Sequence, residues 1–137
     1  MSDSNIERIL YVEDEPDIQA VARVALEAVG GFEVQIYNSG NDAMDHLEQI
    51  KSFNPDVILL DVMMPGMDGP STLEALRKES HFVDTPVIFM TAKVQPHEVA
   101  DFKAMGALDV IPKPFDPMSL SQAIKAIIAD HLEALAG

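Results

Sequence analysis

Apolar and polar positions along this chain fall into two kinds of run. Ile9-Leu10-Tyr11-Val12, Val57-Ile58-Leu59-Leu60 and Val87-Ile88-Phe89-Met90 are short, unbroken apolar stretches. Their β-branched and aliphatic content suits strands covered on both faces. Phe32-Glu33-Val34-Gln35-Ile36-Tyr37 alternates apolar with polar instead, which marks a strand with one wetter face and places it at a sheet edge. Leu108-Asp109-Val110-Ile111 is a fifth, shorter strand, stopped by Pro112-Lys113-Pro114.

The segments between these runs carry helical spacing. Pro16 fits the first position of a helix, and Ile18, Val21, Ala22, Ala25 and Val29 recur along it until Gly30-Gly31. Ser39 followed by Asp42 predicts a capped helix reaching about Ile50. Gly69-Pro70 opens a third, with Leu73 and Leu76 toward the core, and Pro96 opens a fourth that carries Val99 and Phe102 and ends at Gly106. Asp116 caps a fifth that Pro117 starts, with Leu120, Ile124, Ile127, Ile128 and Leu135 on one face.

Five strands alternating with five helices predict an α/β fold, a doubly wound parallel sheet with helices on both faces. Crossovers are then right-handed. The fully apolar runs belong inside the sheet and the alternating strand at its edge, and a flavodoxin-like order of 2-1-3-4-5 satisfies both constraints.

Length and composition narrow the picture. The 137 residues suit one domain with a sizeable core, read here as a flexible N-terminus over 1–6 and a domain over 7–135 with no output domain. Cysteine is absent, which excludes disulfide and thiolate chemistry. There is no apolar run of about 18 residues, so no membrane span is expected. Met1-Ser2-Asp3-Ser4-Asn5 lacks the basic and apolar regions of a signal peptide, and the expected location is cytoplasmic. Nine Lys and Arg stand against 23 Asp and Glu, a net charge of -14. Nucleic acid demands a basic footprint, so no nucleic-acid partner is expected.

The candidate chemistry collects at the strand ends. In an open parallel sheet, ligands bind outside the carboxyl ends of the strands. There the first strand supplies Glu13 and Asp14, the third Asp61, the fourth Thr91 and the fifth Lys113. Taken singly, each has a plain reading as a turn, cap or surface residue, and Glu15 and Asp17 simply favour a helix N-terminus. Taken together, three carboxylates in one place repel and raise one another's pKa values. A hard divalent cation relieves that repulsion, and oxygen ligands suit Mg2+. Zn2+ is a poor candidate without His or Cys at the site, and His46, His81, His97 and His131 are scattered without ligand spacing. A carboxylate-held metal, a lysine and a hydroxyl suit a phosphoryl group, whose transfer depends on positioning and charge neutralisation. Asp61 would be the nucleophile, giving an aspartyl phosphate.

Four stretches carry a family resemblance: Ile9-Leu10-Tyr11-Val12-Glu13-Asp14-Glu15, Pro55 through Gly69, Pro86-Val87-Ile88-Phe89-Met90-Thr91-Ala92, and Gly106 through Phe115. In this order and at these spacings the sequence resembles a response-regulator receiver domain of two-component signalling. The resemblance implies that Asp61 is the phosphoacceptor, that Asp14 ligates Mg2+ directly and Glu13 through water, and that the backbone carbonyl of Met63 completes the metal shell. It further implies that Thr91 is the switch hydroxyl and that Lys113, with a cis bond to Pro114, pairs with the phosphoryl group. The phosphodonor would be a phosphohistidine on a histidine kinase or phosphotransfer protein. A downstream protein would meet the face made by the fourth predicted helix, the fifth strand and the fifth predicted helix, or the phosphoryl group would pass onward in a phosphorelay.

One position departs from the pattern. Val110 stands three residues before Lys113, where the family usually carries an aromatic that swings inward with the switch hydroxyl. Met63 and Lys93, two residues beyond Asp61 and Thr91, resemble positions that tune the phosphoryl lifetime. Two other functions compete with the phosphorylatable receiver. One is a pseudo-receiver that binds a partner without phosphorylation. The other is a Mg2+-dependent phosphatase with an aspartyl nucleophile, a class that usually needs a second acid where this chain has Met63.

Overall fold

The computed structural model describes residues 6–136. The expected flexible segment 1–6 therefore lies outside the described residues except for Ile6, whose side chain packs against the core. Five parallel strands form one sheet in the order β2-β1-β3-β4-β5, with β1 at Arg8–Val12, β2 at Glu33–Tyr37, β3 at Val57–Asp61, β4 at Val87–Thr91 and β5 at Asp109–Pro112. The alternating run does occupy an edge, while β3 and β4 are buried along their whole length.

Among the described residues six α-helices accompany the sheet rather than the expected five: α1 Pro16–Arg23, α2 Gly40–Asp45, α3 Leu47–Phe53, α4 Gly69–Arg77, α5 Pro96–Ala104 and α6 Leu120–Ala136. The extra one arises because the helix expected from Ser39 to Ile50 is broken at His46, which sits at φ -119°, ψ 29°. The His46 ring nitrogen Nδ1 lies 2.7 Å from the Asp42 carbonyl, while the His46 N–H turns back to Ala43. The ring thus takes the acceptor that the helix backbone would have used. The cap at this helix also differs slightly from a capping box. Ser39 Oγ accepts from the Asp42 N–H, but the Asp42 carboxylate accepts from Asn38, one residue earlier.

Further details depart from the pattern reading. α1 runs on as a π-helix over Val24–Val29, whose wider turns change which side chains face inward. Ala22, Ala25 and Leu26 are buried, whereas Val21 and Val29 are exposed. The segment after Asp116 begins as a turn in which Asp116 accepts from Met118, and α6 starts only at Leu120. Leu135, expected on the apolar face, is exposed. A 3-10 turn, Ser80–Phe82, buries Phe82 completely.

Strand side chains point alternately to opposite faces, and the two faces make two cores. Leu10, Val12, Ile58, Leu60, Val87 and Phe89 face Ile50, Leu73, Leu76 and Phe102 of α3, α4 and α5. Ile9, Tyr11, Val57, Leu59, Ile88, Met90 and Ile111 face Ala22 of α1, Ala25 and Leu26 beyond it, and Leu120, Ile124 and Ile128 of α6. Each fully buried Leu, Ile or Phe stabilises the fold by about 1.5–3 kcal/mol relative to exposure. This double core holds the strand ends in a common register.

Candidate functional site

Register brings the strand ends level. Val12 pairs with Leu60, Asp61 with Met90, and Thr91 with Pro112. Each strand's next residue therefore emerges at one rim. Alternation then decides the face. Glu13, Asp61 and Lys113 continue the rows of Tyr11, Leu59 and Ile111, on the side covered by α1 and α6. Thr91 continues the row of Val87 and Phe89, on the other side, where Val110 packs.

The geometry at the rim is close. Lys113 Nζ donates to Asp61 Oδ1 at 3.0 Å and to Glu13 Oε1 at 3.2 Å. Tyr11 donates its phenolic O–H to the same Glu13 Oε1 at 3.0 Å, and the Glu15 N–H donates to Glu13 Oε2 at 3.2 Å. Gln19 of α1 donates to the Glu13 carbonyl at 2.6 Å and to Asn38 Oδ1 at 2.8 Å, which ties the turn after β1 to the start of the next crossover. Thr91 is buried, and its Oγ1 accepts from the Lys93 N–H at 3.0 Å. The Lys113–Pro114 bond is cis. Met63 stands exposed in the loop after β3.

That loop returns tightly. Gly69 opens α4, and a Cβ added there would lie 2.6 Å from the Asp61 carbonyl oxygen. Only glycine allows the helix to start so close beneath the strand end. Asp68 caps the helix by accepting from the Ser71 N–H.

Charge is concentrated here. Burial pushes the Asp61 carboxyl up to about 7; the Lys113 hydrogen bond pulls against this, and the Glu13 charge adds to the push. For Lys113, burial pulls the ammonium down, but its bond to Asp61 and the charges of Asp61 and Glu13 outweigh that and leave it raised. The Tyr11 phenol is raised by burial and by Glu13, so it remains a donor. One carboxylate oxygen from each of Glu13, Asp14 and Asp61 lies within 4.8 Å of the others. Asp14 Oδ1 is buried with no hydrogen-bond partner. A buried acceptor left unpaired is costly, and a cation among these oxygens would satisfy it. The donor set is all oxygen, which fits Mg2+.

The structure thus gathers Glu13, Asp14, Asp61 and Lys113 into one cluster and sets Thr91 beside it on the neighbouring strand end. Tyr11 and Gln19 were not singled out by sequence reasoning. For Tyr11 a signal existed, since a tyrosine two positions before a strand-end glutamate shares its face. For Gln19 there was none, because its partners come from two other segments.

An open parallel sheet with a carboxylate–lysine rim at its strand ends is the arrangement of a signalling-domain class. A response regulator receiver domain model matches residues 9–125. The chain belongs to that family, the signalling domain of two-component systems. It is 40% identical over 111 residues to the regulatory protein AtoC of Escherichia coli K12, covering 81% of this chain and 23% of AtoC. It is 37% identical over 121 residues to the transcriptional regulatory protein CpxR of the same organism, covering 88% of this chain and 49% of CpxR. The chain thus spans half or less of these curated relatives. The chemotaxis response regulator CheY4 of Vibrio cholerae superposes with a TM-score of 0.79 at 30% identity, covering 89% of this chain and 98% of CheY4. No described helix is long and apolar enough to cross a membrane.

Proposed function

We propose that this receiver accepts a phosphoryl group from a phosphohistidine onto Asp61. The observation that carries the reading is the Asp61 carboxylate held 3.0 Å from the Lys113 ammonium, beside the unpartnered Asp14 oxygen. An Asp61 oxygen attacks phosphorus, the P–N bond to the donor imidazole breaks, and a proton replaces phosphorus on the imidazole. Lys113 then pairs with one phosphoryl oxygen, and Thr91 turns its hydroxyl from the Lys93 N–H toward another. Glu13, Asp14, Asp61 and the Met63 carbonyl would hold Mg2+, whose positive charge offsets that of the phosphoryl oxygens.

The phosphodonor would be a histidine kinase or phosphotransfer protein. Readout would pass through the α5–β5–α6 face to a protein partner or onward in a phosphorelay, because Val110 lies on β5 within it and Thr91 ends the adjacent β4. Valine at 110 lacks the reach of an aromatic, so rearrangement around Thr91, Phe89 and Phe102 would carry the change. Phe89 and Phe102 already stand edge to face, 5.3 Å between centroids. The net charge of -14 argues against nucleic acid as a direct partner of these residues.

Incubation with Mg2+ and a small phosphodonor such as acetyl phosphate tests the reading. An acid-stable, base-labile adduct on Asp61, lost in Asp61→Ala, supports it. No adduct with either the small donor or a phosphorylated kinase would sink it.

A further inference from the structure

We propose that Tyr11 is a positioning residue of the cation site, holding Glu13 in place when Lys113 is drawn to Asp61. This rests on the reading of Glu13 as part of the metal centre. Tyr11 and Glu13 are both wholly buried. A buried carboxylate is tolerated only while donors surround it. Glu13 has three: Tyr11 and Lys113 on Oε1, and the Glu15 N–H on Oε2.

These donors differ in how firmly they are committed. The Lys113 ammonium is shared with Asp61, and any anionic group arriving at Asp61 competes for it. Its flexible stem lets it answer that competition. The Tyr11 ring cannot move in this way. It sits in β1 between Leu10 and Val12, packed in the core that includes Ile9 and Leu59. Its hydroxyl is neutral, so it stabilises the Glu13 charge without contributing a positive charge that would repel a cation. With Oε1 occupied by two donors and Oε2 by one, the acceptor capacity left to Glu13 lies on Oε2. Tyr11 thereby fixes which oxygen is offered to the metal or its water. Partners that orient metal-binding carboxylates in this way commonly set affinity.

Tyr11→Phe keeps the ring and removes only the hydroxyl. Mg2+ binding by titration calorimetry on the whole chain reads the effect without any phosphorylation. The variant is expected to raise the Mg2+ dissociation constant about ten-fold, with an unchanged circular dichroism spectrum. In a Glu13→Gln background, where Tyr11 has no carboxylate to orient, the same change is expected to shift it less than about two-fold. A merely structural role would act equally in both backgrounds, and that result would overturn the proposal. So would a variant that binds Mg2+ like wild type. If wild type itself binds no Mg2+, the metal reading fails and takes this proposal with it, whereas binding by wild type with an unaffected variant removes the Tyr11 proposal alone.

Discussion

Lys113 reaches across 52 residues of sequence to donate to Asp61 at 3.0 Å. The same ammonium lies 3.2 Å from Glu13. One cation thus serves two buried carboxylates while a third, Asp14, keeps an oxygen unpaired. The cluster holds more negative charge than its own lysine neutralises, and this imbalance governs how the site should respond to pH, metal and mutation.

Asp61 should make stability depend on pH. Its folded pKa is raised to about 7, so the folded protein holds the proton more tightly than the unfolded chain does. The stabilising contribution is complete below the ordinary carboxylate range and is lost as pH rises through about 7. Chemical denaturation without Mg2+ should show wild type weakening between about pH 4 and pH 8. Asp61→Asn should flatten that slope, and an unchanged slope would show that another group is responsible.

Metal should reverse this loss. A cation that binds only the folded state stabilises it by about 2.7 kcal/mol at one hundred times its dissociation constant. Thermal melts at pH 8 should therefore shift upward with Mg2+ and return with chelator. Asp14→Asn should blunt the shift, because it replaces the carboxylate whose oxygen has no other partner.

Removing the lysine should cost more at high pH than at low. Lys113 pulls the Asp61 carboxyl down, so Lys113→Ala should move the Asp61 titration, followed by carboxyl NMR, above that of wild type. It also leaves Glu13 buried with one donor fewer. A destabilisation of up to about 3 kcal/mol is expected at pH 8 without Mg2+. The loss should be smaller at pH 5, where Asp61 is protonated.

Far from the rim, Arg77 at the end of α4 donates to the carbonyls of Phe82 and Thr85. It fastens the 3-10 turn to the start of β4. Arg77→Met should destabilise the protein by about 2 kcal/mol in denaturant titrations while leaving Mg2+ affinity unchanged. A coupled loss of Mg2+ binding would mean that the two ends of the sheet are not independent.

Local pattern alone was enough to place the strands and to put the alternating one at an edge, and the order 2-1-3-4-5 was compatible with it. The apolar runs ending at Val12, Leu60 and Met90 need both faces covered, and the alternating 32–37 run tolerates only an edge. Because parallel strands end on one side, the sequence alone sets Glu13, Asp14, Asp61, Thr91 and Lys113 at one rim. Helix continuity was less legible, since the break at His46 depends on a ring taking the Asp42 carbonyl and the π-turn after Arg23 on packing. Only the tertiary structure decided who bonds whom. Lys113 is shared between Asp61 and Glu13, Tyr11 is the hidden donor, and Asp14 keeps the unpaired oxygen. Hydrogen bonds depend on distances of a fraction of an ångström between segments far apart in sequence, whereas the strand pattern depends only on which side chains must leave water.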